Sequence, residues 1–216
     1  MTDRRDRALL LDLDGVLRRW PDDLALRAER AAGLPPGSIH AAAFDPELLT
    51  RAVTGAIDDG TWRSEAALRL ARGRALWTAL QAMAAWSASP GEVNGAVRAL
   101  VARARQRARV VLVTNATSRL DADLGALGLA DDLDAVVNSS VVGHAKPDAR
   151  ILRAALAAGA APAARSLFVD DTPDHVAAAA ALGLPGHVFV SAVELERALM
   201  EHGLLEPSTP SDREAP

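Results

Sequence analysis

The run Leu9-Leu10-Leu11-Asp12-Leu13-Asp14-Gly15-Val16-Leu17 constrains this chain more than any other stretch. Three leucines in succession read as a buried strand, and the strand ends in two carboxylates two residues apart. An ionised carboxylate is costly to desolvate without a partner. Two side by side repel, so one takes up a proton unless a cation lies between them. A hard divalent ion with oxygen ligands, Mg²⁺ above all, meets that need, which makes Asp12 and Asp14 candidate metal ligands. Gly15 lets the chain turn sharply and lets a ligand approach bare backbone.

After Leu17 the pattern changes. From Asp22 to Ser87 there is almost no β-branched run, and alanine, leucine and arginine recur at helical spacing. One helix begins at Asp22 and stops near Gly33-Leu34-Pro35-Pro36. Another opens at Asp45-Pro46-Glu47, with proline in its first turn. A third follows Gly60-Thr61, and Leu76, Leu80, Met83 and Ala84 mark the apolar face of a fourth. Ser89-Pro90-Gly91 closes this all-helical insertion, which reads as a subdomain.

Helices and strands then alternate. A helix over residues 92–105 leads into the apolar strand Arg109-Val110-Val111-Leu112-Val113. Ser118-Arg119-Leu120-Asp121 resembles a capping box and starts the next helix. Ala135-Val136-Val137 is a short strand, 147–158 a helix, Leu167-Phe168-Val169 a strand and 173–182 a helix. His187-Val188-Phe189-Val190 is the last strand and 193–202 the last helix. This alternation predicts an α/β fold: a Rossmann-like parallel sheet of about five strands with helices on both faces, plus the helical insertion. The expected division is a core of residues 1–19 and 89–204, an insertion of 20–88 and a disordered tail of 205–216.

Composition narrows the function. At 216 residues the chain can bury a sizeable core. A formal charge of −4 argues against a nucleic-acid-binding surface. Without cysteine there is no disulfide, thiolate zinc site or cysteine nucleophile. His40, His144, His175, His187 and His202 are scattered without metal-ligand spacing and read as surface or cap residues. No apolar run approaches the length of a membrane span or a signal-peptide core, so a cytoplasmic location and no membrane partner are expected.

Ligands of open parallel sheets lie beyond the carboxyl ends of the strands. The first strand delivers Asp12 and Asp14 there, and the second Thr114-Asn115. The third is followed by Gly143-His144-Ala145-Lys146-Pro147-Asp148, and the fourth by Asp170-Asp171-Thr172-Pro173-Asp174. Several carboxylates, a lysine, a hydroxyl and an amide on one edge fit Mg²⁺-assisted phosphoryl transfer, with one carboxylate free to act as nucleophile. Taken singly, three of these segments have simpler readings. Asp170 to Asp174 is a good helix start, Thr114-Asn115 a strand ending in a turn, and Lys146-Pro147 a surface helix start. Only the Asp12/Asp14 pair points to chemistry unaided.

In order, Asp12-Leu13-Asp14-Gly15-Val16, Thr114-Asn115, Lys146-Pro147 and Val169-Asp170-Asp171-Thr172 resemble the four motifs of the haloacid dehalogenase (HAD) superfamily. The helical block between the first two resembles the cap of its C1-capped branch, which includes phosphoglycolate phosphatase and β-phosphoglucomutase. The resemblance implies that Asp12 is the nucleophile, forming an aspartyl-phosphate. It implies that Asp14 protonates the leaving oxygen and then activates water, its backbone carbonyl binding Mg²⁺. Thr114, Asn115 and neighbouring amides, Gly15 among the backbone positions, would bind the phosphorylated substrate. Lys146 would offset charge, and Asp170 and Asp171 would complete the metal site with Asp12 and Asp14.

A magnesium-dependent phosphatase of small phosphorylated metabolites is the leading expectation, with a phosphomutase of the same branch the nearest rival. A 2-haloacid dehalogenase ranks lower, because the resembling dehalogenases lack an acid at the position of Asp14. A non-catalytic binding protein ranks lowest, because such proteins usually lose a motif acid. Arg18, Arg19 and Trp20 are placed to face the substrate, while Trp62, Trp77 and Trp86 read as helix-packing residues. The expected assembly is a monomer or homodimer.

Overall fold

The leucine run forms strand β1 (Ala8–Leu11), all four of its residues buried. In this computed structural model, which describes residues 6–73 and 75–206, a two-residue strand β2 (Arg18–Arg19) follows. Then come five helices: α1 (Leu24–Ala31), α2 (Ser38–Ala43), α3 (Pro46–Val53), α4 (Asp59–Leu70) and α5 (Leu76–Trp86). A second short strand, β3 (Glu92–Val93), precedes α6 (Gly95–Ala104), β4 (Arg109–Thr114), α7 (Leu120–Ala126) and β5 (Ala135–Asn138). The chain ends its described part with α8 (Ser139–Val142), α9 (Ala149–Gly159), β6 (Ser166–Asp170), α10 (Pro173–Ala180), β7 (Gly186–Val188) and α11 (Ala192–Glu201).

Five strands form one parallel sheet in the order β5-β4-β1-β6-β7. The fold is therefore the expected α/β Rossmann-like one. Strand periodicity sorts its core into two layers. Leu9, Leu11, Val110, Leu112, Leu167 and Val169 face α6, α7 and α11. Leu10, Val111, Val113 and Phe168 face α9 and α10. Leu11 lies between Leu112 and Val169 in register, so Asp12 emerges at the carboxyl edge beside the ends of β4 and β6. There the Asp12 N–H donates to the Val169 carbonyl at 2.9 Å.

Helices α1 to α5 pack around an apolar cluster of their own, with Ile39, Leu48, Trp62, Leu70 and Met83 set among many alanines. Asp45 and Asp58 cap α3 and α4 by accepting the Leu48 and Thr61 N–H groups. This block meets the sheet side closely at Gly55, whose φ is +75° and where a Cβ would lie 2.0 Å from the Ser140 carbonyl oxygen. The chain enters and leaves the block through β2 and β3, which pair antiparallel, Arg18 with Val93 and Arg19 with Glu92.

Several local expectations differ from the structure. Residues 92–93 are strand, and the helix expected from 92 starts at Gly95 behind Asn94, whose side chain accepts the Val97 N–H. A two-residue strand carries no periodicity to read. No capping box forms at Ser118: Arg119 is the N-cap, and the Ser118 hydroxyl instead accepts the Asp59 N–H across the gap to α4. The helix expected from Pro147 begins at Ala149, capped by Asp148, after a cis Lys146-Pro147 bond. Helices α2 and α8 have no counterpart in the sequence reading. The inward face of α5 is Ala79, Ala82 and Met83, while Leu76 and Leu80 are exposed, because alanines take the crowded positions. Trp62 is buried, but Trp77 is exposed to solvent. Of the expected tail, residues 207–216 lie outside the described residues. Among the described residues no helix is long and apolar enough to cross a membrane.

Leu10 is wholly buried at the centre of the sheet. Leu10→Ala is expected to cost about 2–5 kcal/mol in urea unfolding, whereas Trp77→Ala, at an exposed position, should stay within about 0.5 kcal/mol of the unsubstituted protein.

Candidate active site

Three strands and one loop converge at the carboxyl edge of the sheet. Asp12 follows β1, Asp170 ends β6 and Asp171 comes next, while Lys146 lies in the loop before α9. The ammonium Nζ of Lys146 is 2.7 Å from Asp12 Oδ1 and 2.7 Å from Asp170 Oδ2. It also lies 5.9 Å from the centre of the Phe168 ring, within cation–π range. Lys146 is 4% exposed, so this is not the surface helix start that its local sequence allows.

Local folding explains the convergence. After β1 the carbonyl of Leu13 accepts the N–H groups of Leu17 and Arg18 at 2.9 and 2.7 Å, and Gly15 N–H returns to the Arg18 carbonyl. This coil turns the backbone back on itself next to β6. Gly15 has φ +77°, and a Cβ there would sit 2.0 Å from Asp171 Oδ2. A side chain at Gly15 would be strained by that φ and would have to push the Asp171 carboxylate aside. Asn115 fixes the lysine loop: its Oδ1 accepts the Lys146 N–H at 2.7 Å and its Nδ2 donates to the Lys146 carbonyl at 3.0 Å. The Asn115 carboxamide is thus committed to the backbone of Lys146. Thr114, last in β4, is buried at the same edge.

The two buried acids are not equivalent. Burial pushes the Asp12 carboxyl up to about 6, opposed by the Lys146 charge and reinforced by the charge of Asp170. Burial also disfavours ionised Asp170. The hydrogen bond with His175, the Lys146 ammonium and the Thr172 N–H outweigh that cost and hold its carboxyl below the usual range. His175 Nδ1 lies 3.0 Å from Asp170 Oδ1. The sequence reading missed this residue by treating the histidines as surface groups. The available signal was its place in the first turn of α10, five residues beyond Asp170.

One ammonium shared between two acids leaves negative charge to spare. Asp12, Asp170 and Asp171 each bring a carboxylate oxygen within 4.8 Å of the others. An all-oxygen donor set of this kind fits a hard divalent cation, and the space that Gly15 leaves beside Asp171 keeps that donor accessible.

Asp14 has a separate environment. Its Oδ1 accepts Arg18 Nε at 2.7 Å and Trp20 Nε1 at 2.8 Å, and its Oδ2 accepts Arg18 Nη2 at 2.9 Å. Arg18 is buried, reaches Asp123 at 3.2 Å and stacks its guanidinium 4.5 Å over the Trp20 ring. Arg18 therefore anchors Asp14, while Arg19 is exposed. Asp123, unnoticed in the sequence, holds Arg18 from one side and accepts Arg119 Nε at 2.8 Å from the other.

The sequence matches the haloacid dehalogenase-like hydrolase family over residues 7–183. No curated protein matches it. Among solved structures it resembles a HAD-like family hydrolase from Porphyromonas gingivalis, with a TM-score of 0.67 and 21% identity over 91% of this chain and 98% of that one. It also resembles a HAD family enzyme from Bacteroides thetaiotaomicron in complex with magnesium and inorganic phosphate, with a TM-score of 0.68 and 16% identity over 84% and 93%. A third is an L-2-haloacid dehalogenase from Xanthobacter autotrophicus with chloropropionic acid covalently bound, with a TM-score of 0.60 and 19% identity over 94% and 85%.

The raised Asp12 carboxyl has a definite sign in stability. Between its unfolded value of 3.8 and about 6 the folded chain binds the extra proton, so stability falls as pH rises through that window. Asp12→Asn removes the penalty. In EDTA at about pH 8 it is expected to be more stable than the unsubstituted protein by on the order of 2 kcal/mol, with the gap closing near pH 4. Denaturant titrations at both pH values check this.

Proposed function

The chain belongs to the haloacid dehalogenase-like hydrolases, and we propose that within that family it is a magnesium-dependent phosphatase of the C1-capped branch, acting on small phosphate monoesters. The observation that carries this reading is the shared Lys146 ammonium beside three convergent carboxylates, with Asp14 two residues beyond Asp12. A helical block inserted between the first two motifs and facing the same edge supports the branch.

Asp12 Oδ1 is held by Lys146 and by the Leu13 N–H at 2.7 Å, which leaves Oδ2 as the attacking oxygen. Attack forms an aspartyl-phosphate as the ester P–O bond breaks, and Asp14 passes a proton to the departing oxygen. Asp14, now a carboxylate, takes a proton from water as that water attacks phosphorus. The bond to Asp12 then breaks and phosphate leaves. Lys146 offsets the charge on Asp12 and on the transferring group, which is where phosphoryl transfer is helped most. Asp170 keeps Lys146 in place and is itself steadied by His175. Mg²⁺, held by Asp12, Asp170 and Asp171 with the Asp14 carbonyl, would supply Lewis-acid stabilisation of the phosphoryl oxygens. The helical block closes over the edge, excludes water and selects the leaving group.

Phosphate release from p-nitrophenyl phosphate is expected to require Mg²⁺ and to fall at least about a thousand-fold in Asp12→Asn. Halide release from a 2-haloacid, undiminished in EDTA and without phosphate release, would assign the dehalogenase reaction instead.

A further inference from the structure

Between the sheet edge and the helical block lies a cavity of about 470 Å³. Asp14 and Asn115 line it, while Asp12, Lys146 and Asp171 do not, so it begins on the side of the proposed leaving-group acid. Its far wall is aromatic. Phe44, Trp62 and Trp86 have ring centres 5.9 to 6.4 Å apart in edge-on and tilted arrangements.

Several polar groups around this cavity are already engaged within the protein. Trp62 Nε1 donates to the Ala43 carbonyl at 2.9 Å, and the Ser87 hydroxyl donates to the Met83 carbonyl at 2.8 Å. Thr117 donates to Asp59, which is also ion-paired with Arg63. The cations lining the cavity, Arg18 and Arg119, are paired with Asp14 and Asp123. The lining carries four carboxylates, Asp14, Asp22, Asp59 and Asp123, against those two arginines. A sugar would also set hydroxyls against the aromatic wall, where ring faces offer them few partners to bond. A substrate with a second anionic group would meet net negative charge and, among the described residues, no unpaired cation. An uncharged ring would pack against the three aromatic side chains and cover apolar wall.

We propose that this cavity receives the leaving group of a phosphate monoester, and that this group is an uncharged aromatic of one or two rings. The inference rests on the phosphatase reading for the ester, and on the cavity alone for the ring.

Both parts can be read separately. With Mg²⁺, kcat/KM is compared for 2-phenylethyl phosphate, glucose 6-phosphate and phosphoglycolate, all of which depart through a primary alkoxide oxygen. The aromatic ester is expected to lead by at least about ten-fold. Trp86→Ala and, at a more exposed position, Phe44→Ala should each cut that lead several-fold, mainly through KM. Independently of turnover, calorimetric titration of Asp12→Asn with 2-phenylethanol should show binding that glycerol does not, weakened in the double variants with Trp86→Ala or Phe44→Ala. Equal or better turnover of the sugar or carboxylate ester, with no binding of the alcohol, overturns the inference and leaves the phosphatase reading standing. Binding of the alcohol with no turnover of any ester overturns the phosphatase reading and leaves the aromatic preference of the cavity.

Discussion

Lys146 places one positive charge 2.7 Å from each of two carboxylates that end neighbouring strands, and all three side chains are almost wholly buried. Without the ammonium, Asp12 and Asp170 would face each other across β1 and β6 in a low-dielectric interior, where like charges are costly. The arrangement therefore demands a loop delivered accurately from the far side of β4. Asn115, at the end of that strand, supplies the accuracy by bonding both backbone groups of Lys146. Three strands and a loop are tied to one point. The remaining negative charge, with Asp171 alongside, makes a donor set that fits a hard cation.

Much of this was legible in the residues. Two carboxylates at the end of a leucine run could not be explained by packing, and the alternation of short strands with helices fixed which ends would gather. Lys146, Asp170 and Asp171 were visible only as members of that gathering, because each sits in a segment with an ordinary local explanation. The supports were hidden. Asp123 acts on Arg18 across 105 residues of sequence, which no short pattern links, while His175 and Arg18 lie within five residues of the acids they hold but carry no motif that says so. The β2–β3 pairing escaped for a related reason: its strands are two residues each, and the facing residues Arg18 and Val93 are 75 positions apart.

The alanines that recur through the helical insertion have a structural outcome. Ala42, Ala43, Ala52, Ala66, Ala67, Ala79 and Ala82 are all buried in the block of α1 to α5. Small side chains let those helices approach closely, so its few large residues carry the shape of its inner surface. Phe44, Trp62 and Trp86 are the large aromatic groups of that surface, among many alanines.

The paired strands at the root of the block have a consequence for how such a chain can change. Residues facing each other in an antiparallel pair lie about 5 Å apart, so the polypeptide departs at Arg19 and returns at Glu92 through neighbouring points. A detour whose two ends coincide can lengthen, shorten or be traded for another without shifting any strand of the parallel sheet. The sheet edge and the helical block are thereby free to evolve on separate schedules.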